Sequence, residues 1–345
     1  MNYILFDPPN IKDFYPFTLT RPLGEMRVFG GTIKEIWERH LGTNISYLTS
    51  HHLSDLYPVK WANSNNILIC SNSLPKDNSN MLNISSEILS LEQVQQQWHS
   101  KFLNCQVDFN SNVCFLNNNS SQVAYSNIDV SSNDLFNDSH GPIIIEDDVT
   151  IMEGVMIHGP VHICSGSTIK MGAKIYGPVV IGPCCKIGGE VSNSIFLGYS
   201  NKAHDGFLGH SIIGEWCNIG AGSSNSNLKN DYSNVKMWSY TKEIFIDTKQ
   251  QFLGMYMGDH SKCAINTSFN TGTTIGVNCN IFGTGFPRNF IPSFSWGGNQ
   301  GFTVYNITKA IDVCNKVMAR RNKSFSYKYE KMFRFVFSLT KILRR

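Results

Sequence analysis

The fold is decided by residues 145–187, which read IEDDVTIMEGVMIHGPVHICSGSTIKMGAKIYGPVVIGPCCKI. Isoleucine recurs at every sixth position, at Ile145, Ile151, Ile157, Ile163, Ile169, Ile175, Ile181 and Ile187. This period matches neither the 3.6-residue helical repeat nor the two-residue alternation of strands, but it is typical of a solenoid of short strands and tight turns. The sequence therefore predicts a left-handed parallel β-helix of hexapeptide repeats whose isoleucines stack inward.

The repeat is interrupted twice. After Ile187 its phase slips by two residues, and the inward positions are expected to resume at Ile195, Asn201 (a polar residue in one slot), Phe207, Ile213 and Ile219. Residues 223–256 lose the period, which returns at Met257, Cys263, Phe269, Ile275 and Ile281. An interrupted solenoid usually extrudes a loop, and such loops often carry function.

The flanking segments have different patterns. Residues 1–105 mix short apolar runs with one helical pattern, which indicates a small α/β domain. Residues 106–140 are rich in Asn and Ser and are interpreted as a linker with a degenerate first coil, before a β-helix domain over 141–298. Residues 299–345 have amphipathic helical spacing and predict a helical tail that caps the open end of the solenoid.

Composition excludes several classes of protein. Twenty-nine basic and 26 acidic residues give a net charge of +3, so nucleic acid is not an expected partner. The first residues lack a secretory leader and no long apolar run follows, which predicts a cytoplasmic protein without a membrane segment. The ten cysteines form no C-x2-C pair. No metal site is expected, since no ligand spacing is shared by His158, His162, His210 and His260.

Polar residues that break the repeat concentrate between residues 198 and 230. This stretch contains KAHDGFLG (202–209) and IIGEWCNIGAGSSNSN (212–227). Acyl transfer from a thioester to an amine needs a base near neutral pKa and donors that face the developing oxyanion. A histidine, several amide side chains and a Gly-Ala-Gly turn could supply both.

These motifs resemble the acetyltransferase half of the bifunctional enzymes that acetylate glucosamine 1-phosphate and then uridylylate the product. The segments LFDP (5–8), PFTLTRPLGEMR (16–27), GDHSKCAINT (258–267) and GFPRNFIPSFSWGG (285–298) resemble an alternative bacterial branch of that family. The resemblance covers both ends of the chain and nearly all of residues 141–300. It implies a sugar nucleotidyltransferase-like domain, here shortened, followed by a hexapeptide-repeat acyltransferase domain.

The resemblance also implies site residues. It assigns the base to His204, substrate amide contacts to Asn218 and Asn227, a sugar-phosphate contact to Lys202 and Lys236, and the backbone contact with acetyl-coenzyme A to Ala221, Gly222 and Ser223. For the two asparagines, a role in making solenoid corners is equally open, because Asn tolerates left-handed backbone.

Three departures from the family pattern stand out. Phe207 replaces a tyrosine, and residues 192–195 replace a pair of lysines, so the acceptor pocket is expected to differ. The Gly-rich nucleotide loop is absent. Arg21 and Arg27, which stand in its place, either meet phosphate or pair with nearby acids; the second interpretation is favoured. Nucleotidyl transfer is therefore expected to be reduced or lost, and Mg²⁺ is expected only if it is retained.

We therefore expect a homotrimeric, acetyl-coenzyme A-dependent acetyltransferase acting on an amino-sugar phosphate, with glucosamine 1-phosphate implied by the resemblance, in synthesis of UDP-N-acetylglucosamine for the cell envelope. One rival is a sugar-1-phosphate nucleotidyltransferase whose β-helix serves only for oligomerisation. A second rival is a non-catalytic scaffold that binds sugar nucleotides.

Overall fold

A computed structural model describes residues 1–75, 81–84, 91, 93, 94, 123–125 and 135–344. The chain divides into two compact units, residues 1–115 with 326–336 and residues 116–325 with 337–345. The predicted domain boundary after residue 105 and most of the predicted linker lie outside the described residues. Among the described helices, none combines the length and apolarity needed to cross a bilayer.

The first unit contains a four-stranded sheet. Its first strand, Asn2–Phe6, lies between two parallel neighbours, Ser46–Leu48 and Asn66–Cys70, and Met81–Ile84 adds an antiparallel edge. Helix α1, Ile33–Leu41, starts at a Thr32 capping box, in which the Thr32 side chain accepts from the Glu35 amide. The remaining elements are the short pair Arg27–Val28 and Gly31–Thr32 and the 3-10 turns Ile11–Phe14, Phe17–Leu19 and Leu23–Glu25.

The second unit is a left-handed parallel β-helix of about nine turns with three faces. Face 1 contains Val123–Tyr125, Ile143–Ile145, Val161–Ile163, Val179–Ile181, Ile195–Gly198, Ile212–Glu215, Met255–Met257, Thr273–Ile275 and Phe290–Ile291. Face 2 contains Thr150–Ile151, Thr168–Ile169, Lys186–Ile187, Asn201–Lys202, Asn218–Ile219, Lys262–Cys263, Asn280–Ile281, Ser295–Gly298 and the antiparallel Gly301–Val304. Face 3 contains Leu135–Asn137, Met156–His158, Lys174–Tyr176, Glu190–Ser192 and Phe207–Gly209, then the separate pair Ser224–Asn225 and Ser268–Phe269.

The isoleucine column is the core of the solenoid, as predicted. All eight isoleucines from Ile145 to Ile187 are at most 3% exposed and belong to one apolar cluster. The predicted degenerate first coil is also present in part, because Val123–Tyr125 pairs with Ile143–Ile145 and Leu135–Asn137 pairs with Met156–His158. The solenoid therefore begins before residue 141.

The predicted register after the first interruption was wrong by one residue at three positions, and it was correct again at Ile213 and Ile219. The inward residues that continue the column are Phe196, Lys202 and Leu208, in place of Ile195, Asn201 and Phe207. The coil from Ile187 to its partner Lys202 also contains fewer residues than the coil from Ile151 to its partner Ile169. The coil is shorter because two of its corners, Gly188-Gly189 and Tyr199-Ser200, have two residues each, whereas the equivalent corners of the preceding coil have four residues each.

The second interruption extrudes a loop, as predicted, but it starts later than expected. Asn225 still pairs with Phe269, so the coil is regular to that point. The inserted segment then forms a hairpin of Lys236–Ser239 and Ile244–Asp247 before the chain rejoins face 1 at Met255. The insertion therefore emerges between faces 3 and 1.

The C-terminal tail is helical, as predicted, but its first helix does not cap the solenoid end. Helix α2, Ile307–Ala319, lies along the side: the Cys314 Sγ is 3.3 Å from the Asn278 Nδ2, and Arg321, just after the helix, donates to the Cys184 carbonyl at 3.0 Å. Strand Gly301–Val304 instead turns back along the last strand of face 2. Helix α3, Tyr327–Leu339, and a 3-10 turn, Lys341–Leu343, complete the tail.

Candidate active site

His204 lies on the corner that joins face 2 to face 3. Its side chain is exposed, and the corner, residues 203–206, keeps the full four-residue length. The previous coil turns at Gly189, which has a φ of +69°. A side chain at this position would place its Cβ atom only 2.8 Å from the His204 carbonyl oxygen. In the next coil the Gly222 amide donates to the Asp205 carbonyl at 3.0 Å. Corners with small residues therefore flank His204 on both sides and leave its imidazole accessible.

A phosphate contact would require the Lys202 side chain to face the surface. Lys202 instead takes the inward position that isoleucine holds in the preceding coils. It is 1% exposed and pairs with Ile187 of the preceding coil. Its ammonium group donates to the carbonyls of Gly188, at 3.0 Å, and His204, at 2.8 Å. Burial lowers the Lys202 pKa from 10.5 to about 8. The lysine therefore ties the backbone of the His204 corner to the core.

The Ala221–Ser223 corner offers one backbone donor. The Gly222 amide is used by the Asp205 carbonyl and the Ser223 amide donates to the Gly220 carbonyl at 3.2 Å. Ser223 is also 2% exposed, and its hydroxyl donates to the Ala264 carbonyl at 3.0 Å. The Ala221 N–H has no hydrogen-bond partner among the described residues. Of the three residues predicted to contact acetyl-coenzyme A, Ala221 alone presents an available amide.

Asn218 lies next to the His204 coil. It pairs with Asn201 on face 2, three residues before His204, and its side chain is exposed. The Asn201 side chain is itself occupied, since its Oδ1 accepts from Arg321 at 3.0 Å. Asn218 is therefore the predicted amide contact that shares an outer surface with the His204 corner.

Asn227 lies at a different corner and contacts a different histidine. Its Nδ2 donates to the Nδ1 of His210 at 2.9 Å, and His210 follows the far end of strand Phe207–Gly209 from His204. The His210 ring stacks on Phe252 of the inserted loop, with 5.3 Å between ring centroids. Burial lowers the His210 pKa. From the sequence, His210 was weighed only as a metal ligand, and its contact with Asn227 was not predicted.

Lys236 is exposed at the base of the inserted hairpin and lines a cavity of about 620 Å³. Three cationic side chains, Lys229, Lys236 and Arg288, contribute to the lining, and the described lining residues include no carboxylate. The other residues are Phe245, Thr271, Asn289, Phe290, Pro292 and Leu343. A cavity with cationic and apolar walls suits a phosphate-bearing ligand.

The first unit places polar groups where its three parallel strands end. Asp7 follows the first strand, is 1% exposed, and accepts from the Leu23 amide at 2.9 Å and from the Thr49 hydroxyl. Burial raises the Asp7 pKa to about 6. Both carboxylate oxygens are thus held within the unit, an arrangement that does not fit the water-rich coordination that Mg²⁺ requires.

The two predicted nucleotide-binding arginines are engaged or enclosed. Arg27 Nη1 lies 3.6 Å from the Glu35 carboxylate, which follows the favoured interpretation of pairing with an acid. Arg21 is 4% exposed. Neither side chain presents an open guanidinium for a triphosphate.

Comparison with known proteins supports the family resemblance. A family model described as sugar nucleotidyl transferase matches residues 3–151. A bifunctional protein GlmU from Methanocaldococcus jannaschii is 38% identical over 90 residues, covering 26% of this chain and 21% of that protein. A bifunctional sugar-1-phosphate nucleotidylyltransferase/acetyltransferase from Sulfurisphaera tokodaii is 37% identical over 144 residues, covering 41% of this chain and 35% of that protein.

Among solved structures, a UDP-N-acetylglucosamine acyltransferase from Campylobacter jejuni aligns with a TM-score of 0.30 and 12% identity, covering 61% of this chain and 95% of that one. The matched regions span between 21% and 35% of the two curated relatives. Over these segments the chain is similar to bifunctional nucleotidyltransferase–acetyltransferases, and its nucleotidyl transferase-like region is short.

Proposed function

We propose that the chain is a cytoplasmic acetyl-coenzyme A-dependent N-acetyltransferase that acts on an amino-sugar phosphate, with glucosamine 1-phosphate as the first candidate. One observation carries this proposal: the accessible His204 corner lies directly beside the corner that holds the available Ala221 amide. A base and an oxyanion donor on adjacent coils are what transfer of an acyl group to an amine requires. The name of the relative from Sulfurisphaera tokodaii includes acetyltransferase activity, which supports the proposal.

The proposed step uses His204 as the base. Its imidazole takes a proton from the sugar amine as the nitrogen attacks the thioester carbonyl, and the Ala221 N–H donates to the oxyanion. When the carbon–sulfur bond breaks, the protonated His204 returns a proton to the departing thiolate. Lys202 holds the His204 backbone in place. The cavity that includes Lys236 lies on the insertion between faces 3 and 1, so in this proposal a neighbouring copy offers it to the phosphate group of the substrate.

We also propose a homotrimer, in which the Asn227 corner of one copy faces the surface of another copy that carries Asn218 and His204. His204 and Asn227 are on two different corners of one solenoid, at opposite ends of strand Phe207–Gly209. One chain therefore does not bring them together, whereas a neighbouring copy could present its Asn227 corner to the His204 corner. Symmetric association of identical subunits commonly builds sites in this way.

The test is release of coenzyme A from acetyl-coenzyme A across a panel of amino-sugar phosphates. We expect turnover with glucosamine 1-phosphate and a loss of about 10²- to 10⁴-fold in kcat for His204→Ala, the usual contribution of a general base. His158→Ala is the matched control, since His158 is another histidine of the solenoid surface, and it should retain full activity. Full activity in His204→Ala would overturn the mechanism.

A second candidate function rests on the family match over residues 3–151. If the first unit transfers a nucleotidyl group, pyrophosphate will be released from UTP or dTTP with a sugar 1-phosphate, and His204→Ala will not affect it. Because Asp7 is enclosed and Arg27 is paired, we expect this release to be reduced or absent.

A further inference from the structure

Three side chains of the kind that bind transition metals meet at one corner of the regular coils. Glu146 follows strand Ile143–Ile145, and Cys164 holds the same place after the equivalent strand of the next coil, Val161–Ile163. The Glu146 amide donates to the Ile163 carbonyl at 2.9 Å, which places the two corners side by side. His162 is the middle residue of that next strand. Its neighbours point into the core, so the histidine points outward beside Glu146.

The ligand atoms are close to one another. The Nε2 of His162 lies 2.8 Å from Oε1 of Glu146 and 3.9 Å from the Cys164 Sγ, and all three ligand atoms lie within 4.8 Å of one another. Zinc bonds of about 2.0 Å to nitrogen and oxygen and 2.3 Å to sulfur, arranged tetrahedrally, separate ligand atoms by roughly 3.3–3.6 Å. Shifts of a few tenths of an ångström to about 1 Å would complete the geometry.

The surroundings suit a bound cation with one open position. His162 is 3% exposed and Cys164 is 1% exposed, whereas the Glu146 side chain is 38% exposed and gives access to solvent. The Ser165 amide donates to the Glu146 Oε2 at 2.9 Å, which fixes the carboxylate with its other oxygen towards His162. Partners that orient a ligand in this way are typical of metal sites.

We propose that Glu146, His162 and Cys164 bind one divalent cation of borderline softness, with Zn²⁺ as the best match and water in the fourth position. A carboxylate, an imidazole and a thiol together select such a cation over Mg²⁺ or Ca²⁺. Binding releases the thiol proton, because the thiolate is the ligand. An ordinary hydrogen bond between a glutamate and a histidine, without a metal, would account for the contact between Glu146 and His162. It would not account for the Cys164 thiol beside them. Histidine spacing alone did not predict this site, because its ligands are related by the coil repeat.

The test is titration of the purified, metal-stripped full chain with Co²⁺. We expect a sulfur-to-cobalt charge-transfer band in the near ultraviolet that saturates at one equivalent and disappears when Zn²⁺ is added. Absence of the band in the wild-type chain overturns the proposal without any variant. Cys164→Ser should abolish the band, and His162→Ala and Glu146→Gln should each weaken binding at least about tenfold.

The matched control is Cys184→Ser. Cys184 is a partly exposed cysteine on a later coil and is not part of the cluster. Its replacement should leave the band unchanged, whereas a band that is lost in Cys184→Ser and kept in Cys164→Ser would contradict the assignment. Circular dichroism of each variant shows that it is folded before its titration is compared.

Discussion

The regular coils from residue 145 to 187 and the irregular coils from 188 to 225 share one architecture but use their residues differently. In the regular coils every sixth residue is a buried isoleucine, and the corners recur at a constant interval along the chain. In the irregular coils two corners are shortened, and Lys202 replaces an aliphatic residue in the column. The residues proposed for catalysis lie in the irregular part. Departures from the repeat therefore mark where the solenoid carries the residues proposed for acyl transfer, and the regular coils between residues 145 and 187 carry none of those residues.

The largest effect on stability is expected in the regular coils. Ile175→Ala should lower the free energy of unfolding by about 2–5 kcal/mol, because Ile175 is 1% exposed and its removal leaves a cavity in a packed column. Chemical denaturation measures the loss. Acetyl transfer by the fraction that remains folded should be unchanged, and a selective loss of kcat would contradict the division between scaffold and site.

Lys202→Met should separate stability from activity. A pKa lowered from 10.5 to about 8 means that burial destabilises the charged form of Lys202 by roughly 3 kcal/mol. Replacement by Met removes this cost, which approximately offsets the loss of two charge-assisted hydrogen bonds. We expect the free energy of unfolding at pH 7 to change by about 1 kcal/mol or less. The kcat should fall about ten- to a hundredfold, because the His204 corner is no longer fixed. Unchanged kcat would show that Lys202 does not position His204.

The pH dependence of stability gives a second measurement on Lys202. Between pH 8 and 10.5 the unfolded chain keeps this proton and the folded chain loses it, so Lys202 should make the wild-type chain more stable as pH rises through this window. Denaturation at several pH values should show that increase, and Lys202→Met should lack it. Equal slopes in the two chains would indicate that the ammonium is not enclosed.

The smallest effect is expected outside the coils, in the inserted loop. Lys236→Ala should raise the KM for the phosphate-bearing substrate or for acetyl-coenzyme A less than about tenfold with little change in kcat, since one of three cations lining the cavity is removed. Lys242→Ala, which changes another exposed lysine near the hairpin turn, is the control. If both variants behave alike, the cavity does not bind the ligand.

The sequence predicted the regular coils because a single β-branched residue repeats at a fixed interval, and each of those side chains is buried as expected. It failed in the irregular coils for a physical reason. Two-residue corners shift the phase, and a buried lysine carries no apolar signal, so the apolar pattern pointed to Ile195 and Phe207 instead of Phe196 and Leu208. The contact between Asn227 and His210 was beyond reach because it depends on which corner each coil exposes.

The strand Gly301–Val304 changes the edge at which face 2 ends. An open end of a parallel solenoid presents unpaired strand edges, which favour end-to-end fibre growth. Here face 2 ends in a strand that runs in the opposite direction to the coils. An incoming copy that offers a parallel strand does not find the matching register on that face. The turn-back therefore blocks extension of face 2 by a further parallel strand at this edge.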